Sequence, residues 1–304
     1  MTQKEIIARL GGLFPPVVTP YDRRGEVDYR LFRENLRRYV GIGLSGIVVA
    51  GSTGEAPYLS DRERLKLVEA ARGIVRPPEL LIAGTGLEST AATLRLSREA
   101  VACGADAVLL LTPSYYKSRM NSQALSAHFR ALADALTRPI IMYNIPQFTG
   151  VKMEPDPIAA LSGYPNIVGL KESSGDLQYV RAILRRVRRG FRVLVGSPVI
   201  FLEALRAGAA GGVLGLCGFA PEICLGIYDA FRKRRMEQAR DLQRRLGVLA
   251  QKIGAPYGVP GMKVGCDLCG YRGGPPRAPL TPLNAAQRRD VAAAIREARA
   301  GLEI

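Results

Sequence analysis

The stretch from 139 to 171, PIIMYNIPQFTGVKMEPDPIAALSGYPNIVGLK, decides the fold. It opens on one short apolar run, Pro139–Tyr143, and closes on another, Ile167–Lys171. Neither alternates with polar residues, so each reads as a strand covered on both faces, as in a parallel sheet wrapped by crossover helices. Each also ends in a side chain with chemistry in it, a phenol at Tyr143 and an amine at Lys171.

Working outward, six more runs of the same kind appear: Leu13–Thr19, Gly46–Val49, Leu80–Ala83, Ala107–Leu111, Arg192–Val195 and Gly212–Leu216. Longer segments of helical periodicity separate them. Eight near-regular strand–helix cycles, with no GxGxxG after the first strand, predict an α/β fold of the (β/α)8-barrel type rather than a doubly wound sheet. Ser60-Asp-Arg-Glu63 is a capping box that opens a helix over Asp61–Ile74. Asp28 caps another segment, and Gly104 stops a third after Val101. Beyond Phe231 the strands cease. The expected organisation is a barrel over 1–232 that carries the active site, then a helical region over 233–304 interrupted by the loop Gly270 to Pro279.

The 304 residues are 47% hydrophobic and 23% charged, an ordinary globular balance for one large barrel. No apolar run approaches the roughly 20 residues needed to span a bilayer, and Met1 to Leu10 carries no signal-type apolar core, so the expected setting is cytoplasmic, without a membrane partner. Five cysteines, four of them in apolar or small-residue surroundings, suit reduced thiols rather than a disulfide framework. Cys266-Asp-Leu-Cys269 is a CxxC with no second pair, and it reads as two small residues near a helix end rather than as a metal or redox centre. The formal charge of +16 raises nucleic acid as a partner. The arginines, however, are dispersed along amphipathic segments, Arg181 to Arg189 on one helix and Arg232 to Arg245 on another, with no aromatic–basic stacking pattern. They read as solvated faces whose field attracts anionic substrates, so no nucleic-acid partner is expected.

In such barrels the reacting groups sit at the carboxyl ends of strands. Three ends are unusually polar: Gly51-Ser-Thr-Gly-Glu55, Tyr143-Asn-Ile-Pro146 and Lys171-Glu-Ser173. An ammonium in apolar surroundings favours its neutral, nucleophilic form, which can condense with the C2 carbonyl of a 2-oxo acid. Position alone leaves open a lysine that ends its strand in solvent. A phenol on the neighbouring strand can relay protons, or simply pack in the core. Ser52 and Thr53 lie in a glycine-flanked turn whose amides and hydroxyls can cradle a carboxylate.

Taken together, Thr19-Pro20-Tyr21, GSTGE at 51–55, AGTG at 83–86, TPSYY at 112–116, YNIP at 143–146 and GLKES at 169–173 resemble the dihydrodipicolinate synthase and N-acetylneuraminate lyase superfamily in order and spacing, from Gly12 to about Leu283. Glu88-Ser-Thr90, YYKSRM at 115–120, PNIVGLK at 165–171 and GGPPRAPL at 273–280 resemble its 4-hydroxy-2-oxoglutarate aldolase subgroup. The resemblance implies that Lys171 is the Schiff-base lysine, Tyr143 the proton shuttle, and Ser52 with Thr53 the pyruvyl-carboxylate site. It implies a homotetramer built as a dimer of dimers, with Tyr115 or Tyr116 reaching into a neighbouring site. Arg119 and Ser173 become candidates for the distal carboxylate or hydroxyl of the substrate. The synthase pattern has an arginine two residues after the YN-x-P proline; this chain has Phe148 there. His128, the only histidine, reads as packing or interface, since neither chemical step needs an imidazole.

The expected activity is therefore class I aldol cleavage of 4-hydroxy-2-oxoglutarate to pyruvate and glyoxylate, with a small 2-oxo acid as the partner and no metal or organic cofactor required. The alternatives are 4-hydroxy-tetrahydrodipicolinate synthesis from pyruvate and aspartate-semialdehyde, cleavage of another 2-keto-3-deoxy acid, and a non-catalytic pyruvate-binding regulator.

Overall fold

A computed structural model describes residues 1–302. Eight parallel strands follow the sheet order β1-β8-β7-β6-β5-β4-β3-β2. They are β1 (Gly12–Leu13), β2 (Gly46–Val49), β3 (Leu80–Gly84), β4 (Ala107–Leu111), β5 (Ile140–Asn144), β6 (Ile167–Glu172), β7 (Arg192–Val195) and β8 (Gly211–Gly212). The ring closes just past β1, where Pro16 bridges Val48 of β2 and the amides of Val48 and Val17 bond across the gap, each at 3.0 Å. The barrel is thus closed, with Phe14, Val48, Ile82, Ile141, Val168 and Leu194 filling its interior.

Six strands match the sequence reading to within one residue at each end; the first and last differ more. A strand over Leu13–Thr19 was expected, and β1 stops at Leu13 because Pro15 and Pro16 have no N–H to give to a ladder. The chain expected as Gly212–Leu216 becomes the two-residue β8 followed by a 3-10 turn over Gly215–Gly218. Glycine-rich backbone packs no side chains into a ladder and turns readily into the site.

The helices are α1 (Gln3–Arg9), α2 (Tyr29–Tyr39), α3 (Asp61–Arg72), α4 (Thr90–Ala102), α5 (Ser122–Ala135), α6 (Pro146–Thr149), α7 (Pro155–Ser162), α8 (Leu177–Leu184), α9 (Phe201–Ala207), α10 (Pro221–Arg232), α11 (Met236–Leu249), α12 (Ala255–Leu268) and α13 (Ala285–Arg299). The capping box at Ser60 and Glu63 forms, and α3 then ends two residues before Ile74. Asp28 caps α2 by accepting from the Leu31 amide at 2.9 Å. The expected helix through Arg189 ends at Leu184, leaving Arg185, Arg186, Arg188 and Arg189 in the exposed turn beyond it.

Helices α11 to α13 follow the barrel, and the last two residues of the 233–304 region lie outside the described residues. Leu242, Leu246, Val264 and Val291 of these helices share one apolar cluster with Leu13, Val17 and Phe219 of the barrel. We propose that the chain divides at 232 into the barrel and a helical region packed against it. Between α11 and α12 lies a π turn over Ala250–Gly254, and Gly258 breaks the first part of α12 with φ 50° and ψ −136°. That break lets α12 bend over the mouth of the barrel.

Candidate active site

Register brings the two reactive groups together. Tyr143 of β5 pairs with Lys171 of β6, so phenol and amine leave adjacent strands at one height. The Lys171 Nζ lies 4.0 Å from the centre of the Tyr143 ring. Lysine is 4% exposed, and among the described residues no carboxylate or carbonyl accepts a hydrogen bond from its amine. The Tyr143 hydroxyl lies 3.5 Å from Ser52 Oγ, the outer limit of a hydrogen bond.

These groups line a cavity of about 430 Å³ together with Thr53, Ser173 and Gly196. Its wall contains hydroxyls from Ser52, Thr53, Ser173, Ser174 and Ser197 and the Gln147 amide, but, among the described residues, no carboxylate and no guanidinium. Among the described residues Lys171 is thus the one basic side chain in this wall, and an anionic substrate meets no carboxylate there. Kinked α12 supplies Gly258, Val259 and Met262 to the same wall.

The Ser52–Gly54 turn is held from both sides. Ala50 (φ 53°) and Glu55 (φ 59°) are both in the left-handed region, where a residue with a Cβ is disfavoured by about 1–2 kcal/mol. Strain of this kind persists only where the surroundings over-determine it. Below the turn, Thr19 Oγ1 donates to Gly54 O at 2.7 Å. Across the cavity, Gly196 is a close-approach position: a Cβ there would sit 1.8 Å from Ser173 Oγ and 3.2 Å from Lys171 Cε.

Alternation along β6 sends Glu172 to the opposite face from Lys171. Its Oε1 accepts from Asn144 Nδ2 at 3.1 Å and from the Ser174 amide at 2.8 Å, while the wholly buried Oε2 has no partner. Burial pushes this carboxyl upward, against those two hydrogen bonds. It ties the ends of β5 and β6 to the loop that carries Ser173.

Of the residues singled out from sequence, Lys171, Tyr143, Ser52, Thr53 and Ser173 lie around this one cavity. Tyr115, Tyr116 and Arg119 do not reach it within one chain. Tyr115 and Tyr116 are 76% and 70% exposed, packed edge to face at 5.0 Å, and Arg119 sits on the exposed turn after them. Glu88 fixes that loop by accepting from the amides of Ser114 and Tyr115, each at 2.8 Å. A neighbouring cavity of about 840 Å³ contains Glu88 and Ser114 and shares Ser52, Phe148, Gly258 and Val259 with the first. His128 is buried edge to face against Phe129, with Nδ1 2.9 Å from Thr90 Oγ1, and burial lowers its pKa to about 4.

Sequence reasoning missed Gly196, Gln147, Ser197, Met262 and, above all, Lys263. The ammonium of Lys263 is wholly buried and bonds Glu55 Oε1 at 2.5 Å, Thr19 O at 2.8 Å and Pro275 O at 2.7 Å. The acid that closes GSTGE was the available signal, because a carboxylate in a buried turn demands a partner. Nothing local could say which of the 43 lysines and arginines it would be.

Fold and cavity together define a pyruvate-dependent carbon–carbon lyase of the Schiff-base class. The chain matches the dihydrodipicolinate synthetase family over residues 9–298, and it belongs to that family. It is 36% identical over 284 residues to a 4-hydroxy-tetrahydrodipicolinate synthase of Methanothrix thermoacetophila, covering 92% of this chain and 95% of the relative. It is 34% identical to the enzyme of that name from Moorella thermoacetica, covering 94% and 98%. Among solved structures, the dihydrodipicolinate synthase of Bacillus anthracis superposes with a TM-score of 0.89 at 28% identity, covering 94% of this chain and 98% of the other. A prophage protein of the same family from E. coli K12, solved in complex with pyruvate, also gives 0.89, at 25% identity, covering 95% and 98%.

Proposed function

We propose that this chain cleaves 4-hydroxy-2-oxoglutarate to pyruvate and glyoxylate through a Schiff base on Lys171. The amine adds to the C2 carbonyl, and the carbinolamine loses water as the Tyr143 phenol passes a proton to the leaving hydroxyl. Removal of the C4 hydroxyl proton then breaks C3–C4. Its electron pair moves into the iminium, so that glyoxylate leaves and the enamine of pyruvate remains. Protonation at C3 and addition of water release pyruvate and restore the amine. Ser52 and Thr53 hold the pyruvyl carboxylate, and Ser173 takes the distal hydroxyl or carboxylate.

The observation that carries this reading is the cavity wall at Phe148. Where the synthase pattern has an arginine, a 71% exposed phenyl ring stands, and among the described residues no guanidinium lines the cavity from elsewhere. A charge-assisted pair of this kind contributes roughly 1.5–3 kcal/mol, so a synthase without it forgoes much of its grip on the amino acid. On the aldolase reading the distal carboxylate of 4-hydroxy-2-oxoglutarate takes its cation from Arg119 across a subunit interface.

A second reading, condensation of pyruvate with aspartate-semialdehyde, has support in the names of the relatives above. A third, cleavage of a 2-keto-3-deoxy sugar acid whose distal end carries hydroxyls rather than a second carboxylate, has support in the hydroxyl-rich wall. The test is a substrate panel: glyoxylate release from 4-hydroxy-2-oxoglutarate, aspartate-semialdehyde consumption with pyruvate, and aldehyde release from 2-keto-3-deoxy sugar acids. A kcat/KM highest for either rival overturns the proposal, and pyruvate binding without turnover of any of them leaves the regulator reading.

We also propose that the chain works in the cytoplasm as a homotetramer, with Tyr115 or Tyr116, and Arg119, completing a neighbour's site. Among the described residues no helix is long and apolar enough to cross a membrane. Light scattering on the purified protein reads the assembly directly.

A further inference from the structure

The Ser52–Thr53 turn is not fixed by the barrel alone. Glu55, which ends it in a left-handed conformation, puts one carboxylate oxygen on Lys263 Nζ and the other on the Arg277 amide at 2.8 Å. Lys263 belongs to α12 and follows Met262, which lines the cavity. The same ammonium reaches Thr19 O, and Thr19 Oγ1 in turn holds Gly54 O. One amine thus touches both ends of the support under the turn. The Arg277 guanidinium extends the support to Tyr58 O at 2.6 Å, and Lys263 and Arg277 both lie over the Tyr21 ring, at 4.4 and 4.3 Å.

A wholly buried ion pair adds little net stability over well-packed apolar residues, so stability alone is a poor account of it. Its geometry is specific instead. A strained turn with two hydroxyls aimed into a cavity needs its last residue pinned, and 208 positions of chain separate the pin from the turn.

We infer that Lys263 and Glu55 are positioning residues through which the C-terminal helical region sets the carboxylate cradle at Ser52 and Thr53, so that affinity for the 2-oxo acid depends on a side chain outside the barrel strands. The inference rests on the reading of Ser52 and Thr53 given above.

Three variants of the full-length protein test it: Lys263→Met, the double variant Glu55→Gln with Lys263→Met, and Ser52→Ala. The readouts are thermal midpoint, kcat, and the pyruvate concentration that half-saturates borohydride trapping on Lys171. The expected result is a half-saturating concentration raised about tenfold or more in Lys263→Met, with kcat at saturation changed less than about threefold. The double variant, in which no charge is left unpaired, regains the thermal midpoint but keeps the weakened affinity. If affinity returns together with the midpoint, the pair is structural only and the inference falls; the double variant decides this even where Lys263→Met does not fold. Affinity lost in Ser52→Ala but kept in Lys263→Met and in the double variant overturns the pair alone. Unchanged affinity in Ser52→Ala overturns the cradle itself, and the inference with it.

Discussion

Lys171 and Lys263 are both buried and both stacked on a tyrosine ring, at 4.0 and 4.4 Å, yet they are opposite kinds of lysine. Lys263 has three oxygen acceptors, one of them a carboxylate, and so its ammonium is fully paired. Lys171 has none and faces an open cavity. On the function proposed above, one residue type serves structure in one place and chemistry in another. An amine whose hydrogen bonds are all committed cannot attack a carbonyl, whereas one left without acceptors has its lone pair available whenever it loses a proton. Burial pushes the Lys263 ammonium downward, and the Glu55 carboxylate opposes that push.

The largest expected effect breaks the comparison on the side of chemistry. Lys171→Ala should lower kcat/KM by about 10⁴-fold or more, as removal of a covalent nucleophile does. Borohydride with pyruvate should then give no reduced adduct in the mass spectrum, while the wild-type adduct maps to residue 171. A trapped adduct at another lysine would exchange the roles assigned to the two amines.

On the side of stability the same pair of sites should invert. Lys263→Met strands the Glu55 carboxylate without its cation and should cost about 3–5 kcal/mol in denaturant unfolding. Lys171→Met removes an amine that bonds nothing, and should change stability by less than about 1 kcal/mol in either direction. Equal losses in the two variants would mean that Lys171 carries a structural partner too.

The same contrast explains what could be read from sequence. Lys171 was legible because an apolar strand runs straight into it, and its meaning is set by neighbours at positions 167 to 173. Strands β2, β4 and β7 were legible with their ends, since burial on both faces leaves no other pattern for three to five apolar residues in a row. Lys263 was not legible: it sits in a stretch of glycine, proline and methionine, and its partner is 208 residues away. Helix α1 was overlooked although its signal was present, as Thr2 and Glu5 form a capping box like that at Ser60 and Glu63. The split of the last barrel turn into β8 and a 3-10 turn depends on what glycine packs against, which no local propensity records.

Next in size is the phenol beside the free amine. Tyr143→Phe keeps the ring under Lys171 but removes the proton relay, and should lower kcat by about 10²–10³-fold with the thermal midpoint nearly unchanged. Trapping of pyruvate should continue, only more slowly. Gly196→Ala tests the space around the same amine: its methyl would collide with Ser173 Oγ and crowd Lys171 Cε, and a displacement of about 1 Å at a reacting group can cost about 10²-fold. At Lys263 the corresponding close approach falls on backbone rather than on the amine, since a Cβ at Gly273 would sit 2.0 Å from Lys263 O.

The smallest effect sharpens the structural half of the comparison through pH. Arg277, which holds the second oxygen of Glu55 through its amide, clamps the Glu63 carboxylate with its guanidinium at 2.6 and 3.0 Å. That clamp lowers the Glu63 pKa from 4.5 to about 2. A carboxyl with a depressed folded-state pKa contributes its stability fully above the unfolded value, and loses it as pH falls through the folded one. The contribution should therefore disappear between about pH 4.5 and pH 2, and after solvent screening it should amount to about 1–2 kcal/mol. Unfolding of the wild type and of Glu63→Gln, compared across that window, should show a shallower acid limb in the variant. The two curves should converge near pH 2, where protonation of Glu63 releases the arginine and the Lys263 side of the network loses its outer brace.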